Sequence, residues 1–513
     1  MKKVLLSLFL LLVFLPSVAK EHPAMHYTVD IDTVGKYLNV TMQYVSPAAP
    51  RKHLKLEMPV WAPGYYVIVD FPKYLTDFRA TRTDGTPLPW QKLGKSQWTV
   101  NTFGADTLLV SYRVYASERN VATSRIEPTL AFIAPNGVFL YEKGKKDTPV
   151  TVTFNLPSNW KNISTGLKPT AASGCPHTYT APDFDVLYDS PLLLGNHFVD
   201  KFQHEGHPYE FALETPDGYS GSTFKRDFKA IVTATTALMR HVPYDNYCLI
   251  HLGKGGGGLE HQNSQACYTG GTYRFPSRDA YIEHLDFTAH EYFHLYNVKH
   301  IRPFELGPFD YQREVFTPLL WVSEGFTCYY SAQILRWAGL IDTRKQLAMY
   351  SEYIHDTEAY GGHSHMSLRQ SSYDIWLNFF NTSANGQDVR ISYYIKGPVM
   401  GLLFDAKIRT VTQGRRSLDD LMRLLYTRFD QQLGRGFTEE EFWDATREVC
   451  GLTAEGVQAA ALLRHYVDTT ADIDYASILS PVGLSLDTTT WQLSLSPSPS
   501  KEAKALRKAM LGE

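Results

Sequence analysis

Two histidines four residues apart, His290 and His294, bracket an acid in the run His-Glu-Tyr-Phe-His. On a helix, positions i and i+4 share a face, so both rings can converge on one divalent cation. Glu291 lies one residue round from the first histidine, within reach of a water bound to that cation. A hydrolytic zinc site needs a third protein ligand and one open position. Glu324 offers the ligand. It is an acid beside a glycine in the otherwise apolar segment Leu-Leu-Trp-Val-Ser-Glu-Gly-Phe. A carboxylate buried there needs a counter-charge, which a divalent metal supplies. The expected cofactor is one Zn2+ per chain, although two imidazoles and a carboxylate accept other divalent metals. Zinc lowers the pKa of its water from about 15.7 to about 7. Glu291 would then take the proton as general base and deliver it to a leaving amine.

Two other stretches bear on the substrate. Four glycines at 255–258 precede Leu259, Glu260 and His261. Glycines let a substrate backbone approach closely, and extended backbone pairs with a peptide, so Gly257, Gly258 and Leu259 are candidate substrate contacts. Glu260, directly after the run, is a candidate ligand for a free α-ammonium group. The run is not a phosphate-binding loop, because no Gly-Lys-Ser/Thr ends it. In Tyr393-Tyr394-Ile395-Lys396-Gly397, either tyrosine hydroxyl could serve the developing oxyanion.

The elements that must carry these residues can be read from period. Leu38, Val40, Met42 and Tyr44 alternate with polar residues, as do Leu54, Leu56 and Met58; Leu108, Val110, Tyr112 and Val114; and Val150, Val152, Phe154 and Leu156. Period two with turn signals such as Asp84-Gly85 predicts half-buried antiparallel strands in a sandwich or curved sheet. After about residue 220 the period becomes helical. Phe224, Phe228, Ile231, Val232, Leu238 and Met239 form one stripe with Thr235 as its polar member. Residues 247–252 read as a strand leading into the glycines. Ser417 with Asp420, and Thr438 with Glu441, form capping boxes that open helices. Residues 484–495 hold one or two strands. A Ser-Pro linker follows, and 501–512 has helical composition with little apolar face.

The fold class this predicts is multi-domain α+β: an all-β, sandwich-like N-terminal domain, then a mainly α-helical catalytic domain. The expected divisions are a signal peptide at 1–19, a β domain at 20–205, a catalytic domain at 206–470 and a tail at 471–513. The signal peptide rests on Lys2 and Lys3, an apolar run from 4 to 15, and small residues up to Ala19. No later stretch is long and apolar enough to span a bilayer, which predicts a soluble periplasmic or secreted protein. Fifty basic against fifty-three acidic residues, with no long basic run, excludes a nucleic-acid partner. Five cysteines without a Cys-x-x-Cys pair exclude a thiolate zinc knuckle and form no disulfide framework. Peptides are the expected substrates, and nothing in the pattern sets an oligomeric state.

The ordered set of glycine run with Glu-His, HEYFH-LYNVKHIRP, LGPFDY, LLWVSEGFTCYY and YYIKG resembles the glycyl aminopeptidase family of zinc metallopeptidases. The segment Trp61-Ala62-Pro63-Gly64-Tyr65-Tyr66 resembles that family's N-terminal domain. The resemblance implies a gluzincin with a thermolysin-like catalytic domain. It implies His290, His294 and Glu324 as zinc ligands, Glu291 as base and Glu260 as the anchor of the substrate N-terminus. It implies Tyr394, ahead of Tyr393, as the tyrosine that stabilises the tetrahedral intermediate, and a preference for N-terminal Gly or Ala. The family's usual PDZ domain is not expected here, since the residues given after Asp472 number about forty and hold no Gly-Leu-Gly-Phe-like loop. His300 stands where related sequences often have Arg. Two other functions are compatible with the same residues: a thermolysin-like endopeptidase, and a peptide- or glycan-binding protein with a vestigial zinc site.

Overall fold

The computed structural model describes residues 24–46, 51–170, 176–378 and 386–513. The expected signal peptide and Cys175 lie outside these residues. The chain is α+β, with a β-rich N-terminal part followed by a helical part.

The alternating segments become strands whose apolar members face inward. A seven-stranded sheet holds Val150–Asn155, Ala24–Asp32 and Tyr37–Val45 at its centre, with Thr107–Tyr115 next in order. Val150–Asn155 pairs parallel to Ala24–Asp32, and Tyr37–Val45 pairs antiparallel to both of its neighbours. Two four-stranded sheets complete this part. Met25, Tyr27, Val40, Met42, Val110 and Tyr112 are buried between them in one core. That burial, at about 25 cal/mol per Å2 of apolar surface, is what fixes the register.

The sheet content continues past this core. A five-stranded mixed sheet runs in the order Phe198–His204, His207–Leu213, Tyr247–Leu252, Ser264–Tyr268, Gly258–Glu260. Its last member is an edge strand. Helix α1 (Gly221–Met239) lies on this sheet with its predicted stripe buried. Thr235 stays in the stripe because its hydroxyl donates to Ile231 O at 2.8 Å. Three further helices carry the site: α2 (Arg278–Phe293), α3 (Phe326–Trp337) and α4 (Tyr393–Val411). Both capping boxes are present, at Ser417 and Thr438. No helix of the described residues is long and apolar enough to cross a membrane.

The two parts are joined by the segment around Phe309 to Gln312. Tyr311 O accepts from Val60 N at 2.9 Å, Asp310 O accepts from the Trp61 indole at 2.8 Å, and Gln312 Nε2 donates to Met58 O at 2.9 Å. The end of the chain packs on the helical core. Two strands, Leu484–Asp487 and Gln492–Leu495, form a hairpin there, and a last helix, Lys501–Leu511, buries Ala503, Arg507, Met510 and Leu511. The little apolar face read from 501–512 is therefore corrected. Arg507 completes the stripe by burying its stem, and its head reaches Glu513 at 3.3 Å.

Candidate active site

His290 occupies the last turn of α2, and His294 caps its end. Their Nε2 atoms face each other at 2.9 Å. Glu324 Oε2 lies 3.1 Å from His294 Nε2 and 3.5 Å from His290 Nε2. The three ligand atoms fall within 4.8 Å of one another. Glu324 comes from a π-helical turn, Trp321–Gly325, which runs straight into α3. Such turns occur mostly as single-turn bulges, frequently at functional sites. The turn is pressed against α4, since a Cβ on Gly325 would sit 2.5 Å from Gly397 Cα. Trp321, fully buried against Phe326, Phe404 and Phe442, pins the other side.

Asn297 ties these pieces together. Its backbone carbonyl accepts from His294 Nδ1 at 2.7 Å, which leaves Nε2 of the neutral ring with its lone pair inward. Its side-chain amide donates to Val322 O and Ser323 O at 2.8 and 3.0 Å, holding the turn that bears Glu324. Cys328 Sγ lies 3.5 Å from His290 Nδ1. Neither residue was singled out from sequence. Asn297 stands in the quoted run after His294, where an amide three residues past a ligand is the signal.

The electrostatics ask for a cation. Burial and the neighbouring ring push His290 down, whereas for His294 the Glu324 carboxylate outweighs burial and pushes it up. Glu324 Oε2 faces both rings without receiving a directed hydrogen bond, and Glu291 Oε2 is buried with no partner. Burial first, then Glu260 and Glu324, raises Glu291 to about 8, although His294 pulls it down. Two lone-pair nitrogens and a carboxylate converging on one point, with orphaned carboxylate oxygen beside them, fit a divalent metal.

The substrate-facing residues gather round the same point. Glu260 ends the edge strand Gly258–Glu260, which among the described residues pairs only with Ser264–Tyr268. Gly258 touches the base, because a Cβ there would lie 2.3 Å from Glu291 Oε1. Leu259 is buried in the cluster between the two parts. Gly257 begins the turn into the strand, and its carbonyl accepts from Tyr268 N at 3.0 Å. The glycine loop is anchored at its base by Glu214, which takes Gly253 N at 2.9 Å and the fork of the buried Arg125 at 3.1 and 2.7 Å. Tyr394 starts α4 with its ring 6.5 Å from that of His290. Tyr393 packs beside it at 4.8 Å and is fully buried. His300 turns away from the site and lies 3.1 Å from Asp430.

Comparisons with known proteins find relatives of both parts of the chain. Residues 26–196 match the Peptidase M61 N-terminal domain, and residues 283–400 match the M61 glycyl aminopeptidase model. An aminopeptidase N family protein from Idiomarina loihiensis superposes with a TM-score of 0.83 at 25% identity, over 90% of this chain and 79% of that one. An M1 zinc metallopeptidase from Deinococcus radiodurans shares the fold, with a TM-score of 0.54 at 13% identity over 88% of this chain and 94% of that one. A variant of it bound to a Tyr-Ser-Ala substrate gives a TM-score of 0.52 at 13% identity, over 88% and 94% of the two chains. No curated protein sequence matches the chain.

Proposed function

Because the chain belongs to the M61 glycyl aminopeptidase family of metallopeptidases, we propose that it releases single N-terminal residues, small ones by preference, from peptides. His290, His294 and Glu324 would hold Zn2+. Bound there, the metal would supply Lewis-acid polarisation of the scissile carbonyl and an acidified water. Glu291 lies beside Gly258, and a cation on the neighbouring ligands would favour its ionised form, which can take a proton from water and pass it to the leaving amine. The edge strand from Gly258 to Glu260 supports binding of the substrate backbone by strand addition. Tyr394, beside His290, supports a hydroxyl donor to the developing oxyanion.

The observation that carries the exopeptidase reading is Glu260. It is 4% exposed, shares the recess with Glu291 and Glu324, and closes the end of the edge strand. A carboxylate in that position would take the α-ammonium group of a peptide whose first bond lies over the metal ligands. The preference for Gly and Ala is supported by the family. Export is supported by Lys2, Lys3 and the apolar run after them. A panel of aminoacyl reporter substrates, free and N-acetylated, with and without chelator, tests the function. The expected result is chelator-sensitive cleavage of free Ala and Gly reporters. Cleavage of the acetylated reporters at equal rate would favour the endopeptidase.

A further inference from the structure

Glu260 is not alone at its end of the recess. Lys299, five residues past His294, is almost wholly buried and reaches Glu260 Oε1 at 3.6 Å. It reaches Asp189 Oδ1 at 2.9 Å. Asp189 caps the short helix Phe184–Tyr188 and so belongs to the part of the chain matched by the N-terminal domain model. Its two oxygens are tied to the two residues just after Glu260: Oδ1 lies 3.0 Å from the ring nitrogen His261 Nδ1, and Oδ2 accepts from the backbone Gln262 N at 2.7 Å. Burial opposes its charge, but Lys299 and His261 outweigh burial and hold it down to about 2.

A second contact comes from the same side. The turn at Ala62 to Tyr65 lays Gly64 on the carboxylate, and a Cβ there would meet Glu260 Oε1 at 2.6 Å and Oε2 at 2.8 Å. Gly64 has φ +85°, so both its conformation and its contact call for glycine.

A lysine beside a buried carboxylate is a competitor for any substrate ammonium. Left to itself it would close on Glu260 and neutralise it. Asp189 takes the shorter, hydrogen-bonded contact at 2.9 Å and draws the ammonium towards itself, so that Glu260 keeps only a looser ion pair with the lysine at 3.6 Å. With Asp189 counted, the group Glu260, Lys299 and Asp189 carries net −1, which attracts a cation; without it the group is neutral.

We infer that Asp189 is a positioning residue of the amine site, contributed by the β domain, which holds Lys299 off Glu260 so that Glu260 stays open to the substrate's α-ammonium group. This rests on the reading of Glu260 as the amine anchor. The test uses the full chain loaded with metal and an alanyl reporter, with KM and kcat measured for Asp189→Asn, Lys299→Met, the double variant and Glu260→Ala, and folding followed by thermal unfolding. Asp189→Asn is expected to raise KM by about tenfold or more while kcat changes much less. Lys299→Met is expected to lower KM. The double variant should recover most of the KM lost in Asp189→Asn, which a merely structural aspartate would not allow. A double variant as poor as Asp189→Asn, or a Lys299→Met variant with raised KM, would overturn the inference. If Asp189→Asn does not fold, the direction of the KM change in Lys299→Met decides it. Glu260→Ala separates the two claims. An unchanged KM there removes the anchor itself, whereas a raised KM with no effect of Asp189→Asn removes only the role of Asp189.

Discussion

The recess has two halves built on opposite plans. The metal-facing half is local: His290, Glu291 and His294 lie within five residues on one helix end, and Asn297 and Glu324 follow within thirty residues. The amine-facing half is assembled from afar. Glu260 meets Gly64 from a β-domain turn, Lys299 from beyond α2, and Asp189 through that lysine. On the proposed reading, the hydrolytic residues sit on the short-range half, and recognition of the substrate end sits where two independently packed cores meet.

Three changes probe this comparison, beginning with the largest. Glu291→Gln keeps shape and removes the proton acceptor. It should lower kcat by about 100- to 10,000-fold while zinc content, measured by metal analysis, stays at one per chain. Retained turnover would remove Glu291 from the mechanism. Gly325→Ala should destabilise the metal-facing half by about 3 kcal/mol, because its Cβ meets the Gly397 backbone and neither helix can yield cheaply. Denaturant unfolding measures that loss, and metal titration should show weaker binding as Glu324 is displaced.

The third change is pH, which acts on the stability of the β-rich and helical parts that carry the two halves. His197, in the β-rich part, and His284, on α2, are each pushed down to about 4 by burial. Both are neutral when folded at pH values where the unfolded chain, with an ordinary pKa of about 6.5, binds a proton. Stability therefore falls as pH drops from about 6.5 to about 4, by up to about 2 kcal/mol per histidine between pH 7 and pH 5. Chemical denaturation at the two pH values checks this. His284→Gln should flatten the slope only in part, because His197 and the buried His251 are pushed down too, and an unchanged slope would locate the acid sensitivity elsewhere.

Much of the metal-facing half was legible in the sequence because its rules are local. An i, i+4 pair specifies a face, alternation specifies a strand, and Ser417 or Thr438 with an acid three residues on specifies a helix start. The π-turn at Trp321–Gly325 was not legible, because it depends on Gly325 meeting Gly397 seventy-two residues later. Lys299 read as one more polar residue in a motif, since its partner is 110 residues upstream in another core. Arg507 read as polar although its stem is buried, because composition does not distinguish a charged head from the methylenes that carry it.

The central claim is that Glu260 recognises a free amino terminus next to the hydrolytic set. The most direct measurement is kcat/KM of the parent protein and Glu260→Ala on a free alanyl reporter and its N-acetylated form. The account predicts that the parent strongly prefers the free amine and that Glu260→Ala loses this preference mainly through KM. Equal cleavage of both reporters by the parent, or an unaltered preference in the variant, would contradict it.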